Sequence, residues 1–283
     1  MPPRGQPTAR QARLGAELRK LREASGMSSA EAAASLGWER PQVSHIESGR
    51  YGVSGERVRH LAAHYSASDD AYVNALAAMA DDRSKGWWVE FRNILPARSL
   101  DLAELEHHAV YLRSIQPLIV PGLLQTEEYA QAIFAGAVTK RPAAEIDAAV
   151  AHRMKRREIF ERPDPPDFEV LLHEAALRIC YGTRDVMRRQ LGFLTEVATH
   201  PAITLRVIPF AAAGMTSALQ PLTYAGAVVS QLDTVQVDNA FDGVFLDAGA
   251  QLGKYRAVLD ATRSATLNPT ESRKVIRSIA KEL

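Results

Sequence analysis

Four polar side chains in the stretch "ERPQVSHIESGR", residues 39–50, have chemistry suited to reading DNA bases. A glutamine can form a bidentate pair with adenine N6 and N7, and an arginine can pair with guanine O6 and N7. Serine and histidine can donate hydrogen bonds to bases or phosphates. A base-reading role is therefore predicted for Arg40, Gln42, Ser44 and His45. The alternative is a plain surface helix on which these polar residues are interchangeable.

The residues before this stretch predict two helices joined by a tight turn. The first helix has an inward stripe of Leu14, Leu18 and Leu21, and Gly26 ends it. Ser28 can cap a short second helix, with Glu31 three residues later in the capping-box position. Gly37 then supplies the left-handed turn that ends the second helix.

Three further helices complete a predicted bundle of five. The third helix opens at residues 39–41, where Pro41 is acceptable because first-turn amides have no partner within a helix. Val43 and Ile46 point inward. The fourth helix starts at Ser54 or Gly55, with an apolar face of Val58, Leu61, Ala62 and Tyr65, and the fifth covers about residues 69–80. Two short helices joined by a glycine turn inside such a bundle predict a helix-turn-helix unit.

The distribution of charge supports an anionic partner for the N-terminal segment. The whole chain has a formal net charge of only +1, but residues 1–66 hold ten Lys and Arg against six Asp and Glu. A local basic excess on a near-neutral protein favours DNA as the partner over a membrane. The predicted phosphate contacts are Arg10, Arg13, Arg50, Arg57 and Arg59.

The spaced residues of this segment resemble the XRE/Cro-type helix-turn-helix of bacterial repressors. The resemblance covers about residues 11–66 and is carried by Leu18, Leu21, Arg22, Gly26, Ala33, Leu36, Gly37, Ser44, Ile46, Glu47 and Gly49. It implies that the third helix docks in the major groove. This chain has Ser29 where the family has a glutamine that contacts bases or phosphates, so we expect Ser29 to make a shorter phosphate contact. Trp38 is expected to pack the turn, and Glu47 to form an ion pair within the domain.

The C-terminal two-thirds of the chain predicts an α+β domain with a small mixed sheet. Strand composition marks "FEVLLHE" and "ITLRVIPF", and two or three more strands are expected within residues 222–243. Residues 100–135 are interpreted as helices. The charged helix at residues 143–161 is interpreted as a solvated face, with a patch for an acidic partner as the alternative.

This organisation divides the chain into four segments. They are a flexible basic arm at residues 1–10, a helix-turn-helix domain at 11–82, a linker or interdomain packing segment at 83–99, and an α+β regulatory, partner-binding or dimerisation domain at 100–283. The paired tryptophans of the third segment, Trp87 and Trp88, are interpreted as interdomain packing, with a ligand cage as the alternative.

The C-terminal part carries a second resemblance. "QPLIVPGLLQTEEYAQAIF", "HRMKRREIFERPDPPDFEVLLHEAALR", "ITLRVIPF" and "LNPTESRKVIRSIA" are similar to the C-terminal domain of WhiJ-like, antitoxin-like regulators of actinobacteria. The resemblance runs from about residue 100 to the end and implies a domain without established catalytic activity. It also implies a very small partner protein encoded nearby.

Regulatory contacts are predicted around the end of the strand "FEVLLHE". The candidate residues for an effector or partner are His173, Glu174, Arg178, Tyr181, Met215 and Tyr224. The loop at residues 209–221 is long and rich in small residues, which is typical of lids and partner contacts as well as of simple surface loops. An enzyme tethered to DNA through its first domain, with His173 in its active site, is a further alternative.

Catalytic and export signals are missing from the sequence. There is no GxGxxG, Walker A or GxSxG motif, and the spacing of His60 and His64 lacks the glutamate of a zinc protease. We expect no enzyme activity, no metal and no cofactor. Cys180 is the only cysteine, and neither a signal peptide nor a long apolar run is present, so we expect a cytoplasmic protein that is nucleoid-associated when bound to DNA.

The predicted function is that of a sequence-specific transcriptional regulator. It would bind an inverted-repeat operator as a homodimer, and its C-terminal domain would bind a small partner protein or an effector. The alternative is an antitoxin-like interaction protein that mainly sequesters a small partner, with DNA binding that is autoregulatory.

Overall fold

The structure is a computed structural model that describes residues 6–212, 220–238 and 243–283. The chain forms two compact units. Unit 1 consists of Met1–Val89 and Ala97–Glu104, and unit 2 consists of Glu90–Pro96 and Leu105–Leu283. Within the described residues, no helix combines the length and the apolar character that are needed to cross a membrane.

Unit 1 contains the five predicted helices. Their bounds are α1 Ala9–Ala24, α2 Ser29–Ser35, α3 Arg40–Glu47, α4 Gly55–His64 and α5 Asp70–Asp81. A short 3-10 helix follows at Trp87–Phe91, and helix α6, Ala97–His108, begins in unit 1 and ends in unit 2. The all-α prediction for this part of the chain is confirmed.

Caps and glycine turns set the ends of the first helices. Thr8 forms a capping box with Gln11, so α1 starts at Ala9, inside the segment that was predicted as a flexible arm. Ser28 and Glu31 form the predicted capping box of α2. Gly26 and Gly37 have φ angles of +77° and +66°, in the left-handed region where glycine has no steric penalty.

Small residues allow the helices of unit 1 to pack closely. An added Cβ at Gly15 of α1 would lie 2.5 Å from the backbone oxygen of Glu47, so any larger residue would push α1 away from the end of α3. The buried side chains include Leu14, Leu18, Val43, Ile46, Val58, Leu61, Tyr65 and Leu76. Each large apolar side chain of this kind contributes about 1.5–3 kcal/mol through its burial.

Unit 2 is built around one sheet. Its strands are β1 Tyr111–Gln116, β2 Asp167–His173, β3 Ile203–Ile208, β4 Leu222–Gly226, β5 Thr234–Asp238 and β6 Gly243–Leu246. The helices after α6 are α7 Glu127–Ala135, α8 Ala143–Arg156, α9 Glu174–Arg178, α10 Arg184–Val197, α11 Gly249–Ser264 and α12 Pro269–Glu282. Four of the strands lie where strand composition predicted them, and β6 begins at the end of the predicted region.

The sheet is mixed, with the strand order β3-β2-β1-β4-β5-β6. β1, β2 and β3 are parallel, whereas β4, β5 and β6 continue the sheet in antiparallel fashion from β1. The predicted α+β class is therefore confirmed. The helical interpretation of residues 100–135 is wrong at Tyr111–Gln116, because β1 is the strand that joins the two halves.

Each face of the sheet is covered by helices. On one face Leu112, Val170 and Leu172 belong to a core that includes residues of α7, α10 and α12. On the other face Ile115 and Leu171 pack with Leu252 and Leu259 of α11 and with other buried residues. Because successive strand residues point to opposite faces, neighbouring residues such as Leu171 and Leu172 belong to different cores.

Candidate nucleic-acid interface and regulatory region

Helix α3 is held in unit 1 by one narrow apolar seam. Val43 and Ile46 are buried at 3% and 4% exposure. In the turn before α3, the amide of Trp38 donates to the oxygen of Ala33 at 2.8 Å. Between these two residues Ser44 is exposed, and Gln42 beside Val43 is half-buried.

The predicted base-reading residues differ in the exposure of their side chains and in their contacts within unit 1. Ser44 is exposed and Gln42 is half-buried, and neither side chain has a hydrogen-bond partner in the described part of the chain. The ring of His45 lies 4.7 Å from that of Tyr51, and its Nδ1 atom is buried with no partner among those same residues. Arg40 opens α3, and its side chain lies outside what the structure describes.

The predicted phosphate contacts on and beside α4 are accessible. Arg50, Arg57 and Arg59 are all exposed. The guanidinium carbon of Arg57 lies 4.3 Å from the ring centroid of Trp38, which is half-buried rather than part of the core. Arg59 donates to Asn74 at 3.4 Å. Stacking on Trp38 restricts the Arg57 side chain while leaving its edge in solvent.

The predicted phosphate contacts on α1, Arg10 and Arg13, already have acidic partners within unit 1. Arg13 donates from Nε to Glu17 at 2.6 Å, and its side chain is only 10% exposed. Arg10 lies 3.9 Å from Asp82, and burial lowers its pKa. Both arginines are therefore engaged within unit 1, and a phosphate contact would require them to leave these partners.

Glu17 is the centre of a buried network in unit 1. It accepts from Arg13, from Lys20 at 2.7 Å and from the hydroxyl of Tyr72 at 2.5 Å. Burial and then the hydrogen bond to Glu17 raise the pKa of Tyr72. Helical spacing links Glu17 to Arg13 and Lys20, but Tyr72 could not be linked to them from the sequence because it lies 55 positions from Glu17.

The ion pair expected for Glu47 is confirmed. Arg22 donates to its two carboxylate oxygens at 2.6 and 2.9 Å, and also to the oxygen of Met27 at 2.6 Å. The hydrogen bonds to Glu47 raise the pKa of Arg22. One arginine thus ties α1 to the turn before α2 and to the end of α3. This contact fixes the orientation of α3 and does not face a ligand.

Ser29 lies in the first turn of α2, next to the cap residue Ser28. Its Oγ is buried and has no hydrogen-bond partner among the described residues. Such an atom can accept or donate one further bond. Its contact with phosphate remains a prediction.

In unit 2, three of the predicted effector residues lie together at the end of β2. His173 caps α9 by accepting from the amide of Ala175 at 3.1 Å, and its ring packs against Phe210. Glu174 accepts from Arg178 at 2.8 Å. Burial lowers the pKa of His173. These contacts make the end of β2 an ion-paired strand end, in which each of the three side chains has a partner within unit 2.

The other predicted effector residues are not part of that group. Tyr224 is buried on the α11 face, where its hydroxyl donates to Asp233 at 2.6 Å. Tyr181 packs against Tyr129 in the core on the opposite face. Met215 lies outside the described residues. The prediction of one shared site is therefore corrected, because the sheet separates Tyr224 from Tyr181.

The sequence interpretation missed a buried arginine cluster on α8. The solvated-face interpretation is wrong for Arg156, which is 8% exposed and donates to both oxygens of Glu106 at 2.7 and 2.6 Å. Arg153 lies one turn earlier and donates to Gln125 at 2.7 Å. The sequence contains one signal for this cluster. The apolar residues Ala149 and Val150, which are buried, lie four and three residues before Arg153 and therefore on the same side of the helix.

Comparison with known protein families agrees with the two units. A family described as "Helix-turn-helix domain" matches residues 13–76, and this match indicates a DNA-binding regulator. No curated protein and no solved structure matches the chain. A family described as "Domain of unknown function (DUF5753)" matches residues 100–278, which is more than half of the chain. The chain therefore belongs to the DUF5753 family.

Proposed function

We propose that this protein is a sequence-specific transcriptional regulator that places α3 in the major groove of its operator. The observation that carries the proposal is the arrangement of α3. Among the described side chains of α3 only Val43 and Ile46 are buried, so Gln42 and Ser44 are free to meet base edges. The accessible arginines Arg50 and Arg57 would then contact phosphates.

We further propose that the protein acts as a dimer on an inverted repeat. Helix-turn-helix proteins commonly bind two half-sites about one helical turn apart, with the two-fold axis of the dimer on that of the operator. The resemblance to WhiJ-like regulators supports a C-terminal domain, residues 100–283, that binds an effector or a small partner and has no catalytic role.

The test is selection of bound duplexes from random DNA by the full-length protein at two salt concentrations. Recovery of an inverted repeat with half-sites about one helical turn apart is the expected result. Binding without a sequence motif, lost at the higher salt, would leave only phosphate attraction and would contradict the proposal.

A matched pair of variants identifies the reading surface. Ser44→Ala on α3 is expected to change the selected motif at one position. Gln251→Ala removes an exposed polar side chain from α11 of unit 2 and is expected to leave the motif unchanged. If both variants select the wild-type motif, Ser44 does not read a base.

A further inference from the structure

Two arginines of α8 point into unit 2, and only one of them has a carboxylate. Arg156 forms the bidentate pair with Glu106, which is itself 3% exposed. This geometry uses both carboxylate oxygens of Glu106. Glu106 thus balances the charge of Arg156 and leaves its neighbour Arg153 without an equivalent partner among the described residues.

The contacts of Arg153 are neutral. Its Nη1 donates to the amide oxygen of Gln125 at 2.7 Å, and its guanidinium carbon lies 4.2 Å from the ring centroid of Phe134. Gln125 is oriented by its own bond to the oxygen of Val120 at 2.6 Å. The Nε of Arg153 is buried and has no acceptor in the described part of the chain.

The two guanidiniums border the same backbone position. A Cβ at Gly122 would lie 3.4 Å from Nη1 and Nη2 of Arg156 and 3.6 Å from Nε of Arg153. Glycine therefore leaves the N–H groups of both arginines uncovered by a side chain at this point. The arrangement is a fork of donors beside a bare segment of backbone.

The charges of this cluster do not cancel. Arg153 and Arg156 together face one hydrogen-bonded carboxylate, that of Glu106, and the exposed Asp238 acts on both arginines only over a distance. Burial, and then repulsion by Arg156, lower the pKa of Arg153 to about 9, so it is still charged at neutral pH. Arg153 as a whole is half-buried, but its Nε is buried, and a buried charged donor without an acceptor is costly.

We propose that Arg153 binds the carboxylate of a small monoanionic ligand, beside Gly122 and Phe134. A monocarboxylate matches the single excess positive charge that Glu106 leaves on the two arginines, whereas a dianion such as phosphate would exceed it. Carboxylates also fit the planar guanidinium fork. Because the ring of Phe134 lies beside the Arg153 guanidinium, the ligand carries an apolar or aromatic body. This inference deepens the proposed function, since it names the chemical class of the effector.

The first experiment is calorimetric titration of the full-length protein with benzoate as the probe. Benzamide, the neutral analogue of similar shape, serves as the ligand control. Wild-type protein is expected to bind benzoate, and benzamide and inorganic phosphate more weakly. Arg153→Met is expected to weaken benzoate binding about tenfold or more, because charge-assisted hydrogen bonds are lost.

Two further variants control for charge and folding. Lys155→Met removes a positive charge from the same helix, but Lys155 already pairs with Glu90 at 3.2 Å, so the Kd for benzoate is expected to stay unchanged. Arg153→Lys keeps the charge and loses the planar fork, so intermediate affinity is expected even if Arg153→Met fails to fold. An undetectable benzoate affinity, equal affinities for benzoate and benzamide, or a Kd unaffected by either Arg153 variant would overturn the proposal.

The DNA-binding assay on the same preparation separates this inference from the proposed function. Benzoate binding by a protein that selects no DNA motif would contradict the regulator and leave the carboxylate site intact. Motif selection without benzoate binding would support the regulator and contradict the carboxylate site. If both activities are present, benzoate is expected to change the affinity for the selected operator in wild type and not in Arg153→Met.

Discussion

Helices α1 and α8 both carry runs of arginine that look alike in the sequence, yet the two helices use them differently. On α1, Arg13 pairs with Glu17 and Arg22 pairs with Glu47. On α8, Arg156 pairs with Glu106, but Arg153 meets an amide and an aromatic ring instead of a carboxylate. The comparison shows that a basic run need not form a basic surface, and that partners decide which arginine is available.

The same comparison bears on DNA recognition. The α1 arginines contribute most of the basic excess at the start of the chain, but Arg10 and Arg13 are held by carboxylates of unit 1. The arginines on and beside α4 are exposed. We therefore expect phosphate contacts to come mainly from Arg50, Arg57 and Arg59.

The largest expected effect comes from removing the carboxylate of either bidentate pair. Glu47→Ala and Glu106→Ala are each expected to destabilise their own unit by about 3–5 kcal/mol, because a buried arginine is left unpaired. Hydrogen exchange measured separately on peptides of α3 and of β1 would show which unit opens. Asp185→Ala, which removes an exposed partner of Arg188, is the control and is expected to change neither. Equal protection in all three variants would mean that these pairs do not hold the helices.

Mild acid is expected to weaken unit 2 through His152. Burial, and then Arg156 and Arg153, lower the pKa of this histidine from 6.5 to about 3. The unfolded chain binds a proton near pH 6.5 and the folded chain does not, so stability is present above pH 6.5 and is lost as the pH falls towards 3. The loss is about 2 kcal/mol between pH 7 and pH 5.

Unfolding of wild type and His152→Gln at both pH values measures this contribution. The variant is expected to lose most of the pH dependence, while His60→Gln, at an exposed position of α4, retains it. An unchanged pH dependence in His152→Gln would assign the acid sensitivity to other groups and weaken the contrast between α8 and α1.

A change on the exposed side of α3 is expected to affect specificity and not stability. Gln42→Ala should reduce discrimination at one base pair by about 1–3 kcal/mol, because the bidentate contact is lost. Binding to the selected operator and to its single-base variants measures this. If the variant keeps both affinity and base preference, α3 does not present Gln42 to the bases.

The smallest expected effect is a difference in salt dependence. Arg57→Met should reduce the slope of log affinity against log salt by about 0.9, the value for one phosphate contact. Arg13→Met should leave the slope unchanged, although it removes a partner of Glu17 and so lowers the stability of unit 1. A reduced slope for Arg13→Met would show that Arg13 exchanges Glu17 for phosphate on DNA.

Local signals explain why unit 1 could be predicted almost completely from sequence. The capping box of Ser28 and Glu31 and the turn at Gly37 act within a few residues, so their patterns are visible in the chain. The exposed state of Ser44 follows from helical spacing alone. The pairing of Arg13 with Glu17 follows the i, i+4 spacing on one helix, but the contribution of Tyr72 could not be predicted, because Tyr72 is distant in sequence.

Long-range pairing explains the errors in unit 2. β1 carries polar residues on both faces, Arg113 on one and Ser114 on the other, so it lacks the alternation of polar and apolar residues that marks a half-exposed strand. The charges on α8 were interpreted as solvated because Glu106 lies fifty positions earlier. Tyr224 and Tyr181 were grouped although the sheet places them in different cores. In each case the distance between the residues is set by the folded unit and cannot be read from the local sequence.

The central position of β1 also has a consequence for the order of folding. Its side-chain contacts with β2 span 56 positions of the chain, and those with β4 span 108. During synthesis β1 therefore emerges long before either neighbour, with both of its hydrogen-bonding edges open. Pairing strands that are so distant in the chain is slow. We therefore expect the nascent second unit to be prone to aggregation until β4, Leu222–Gly226, has left the ribosome.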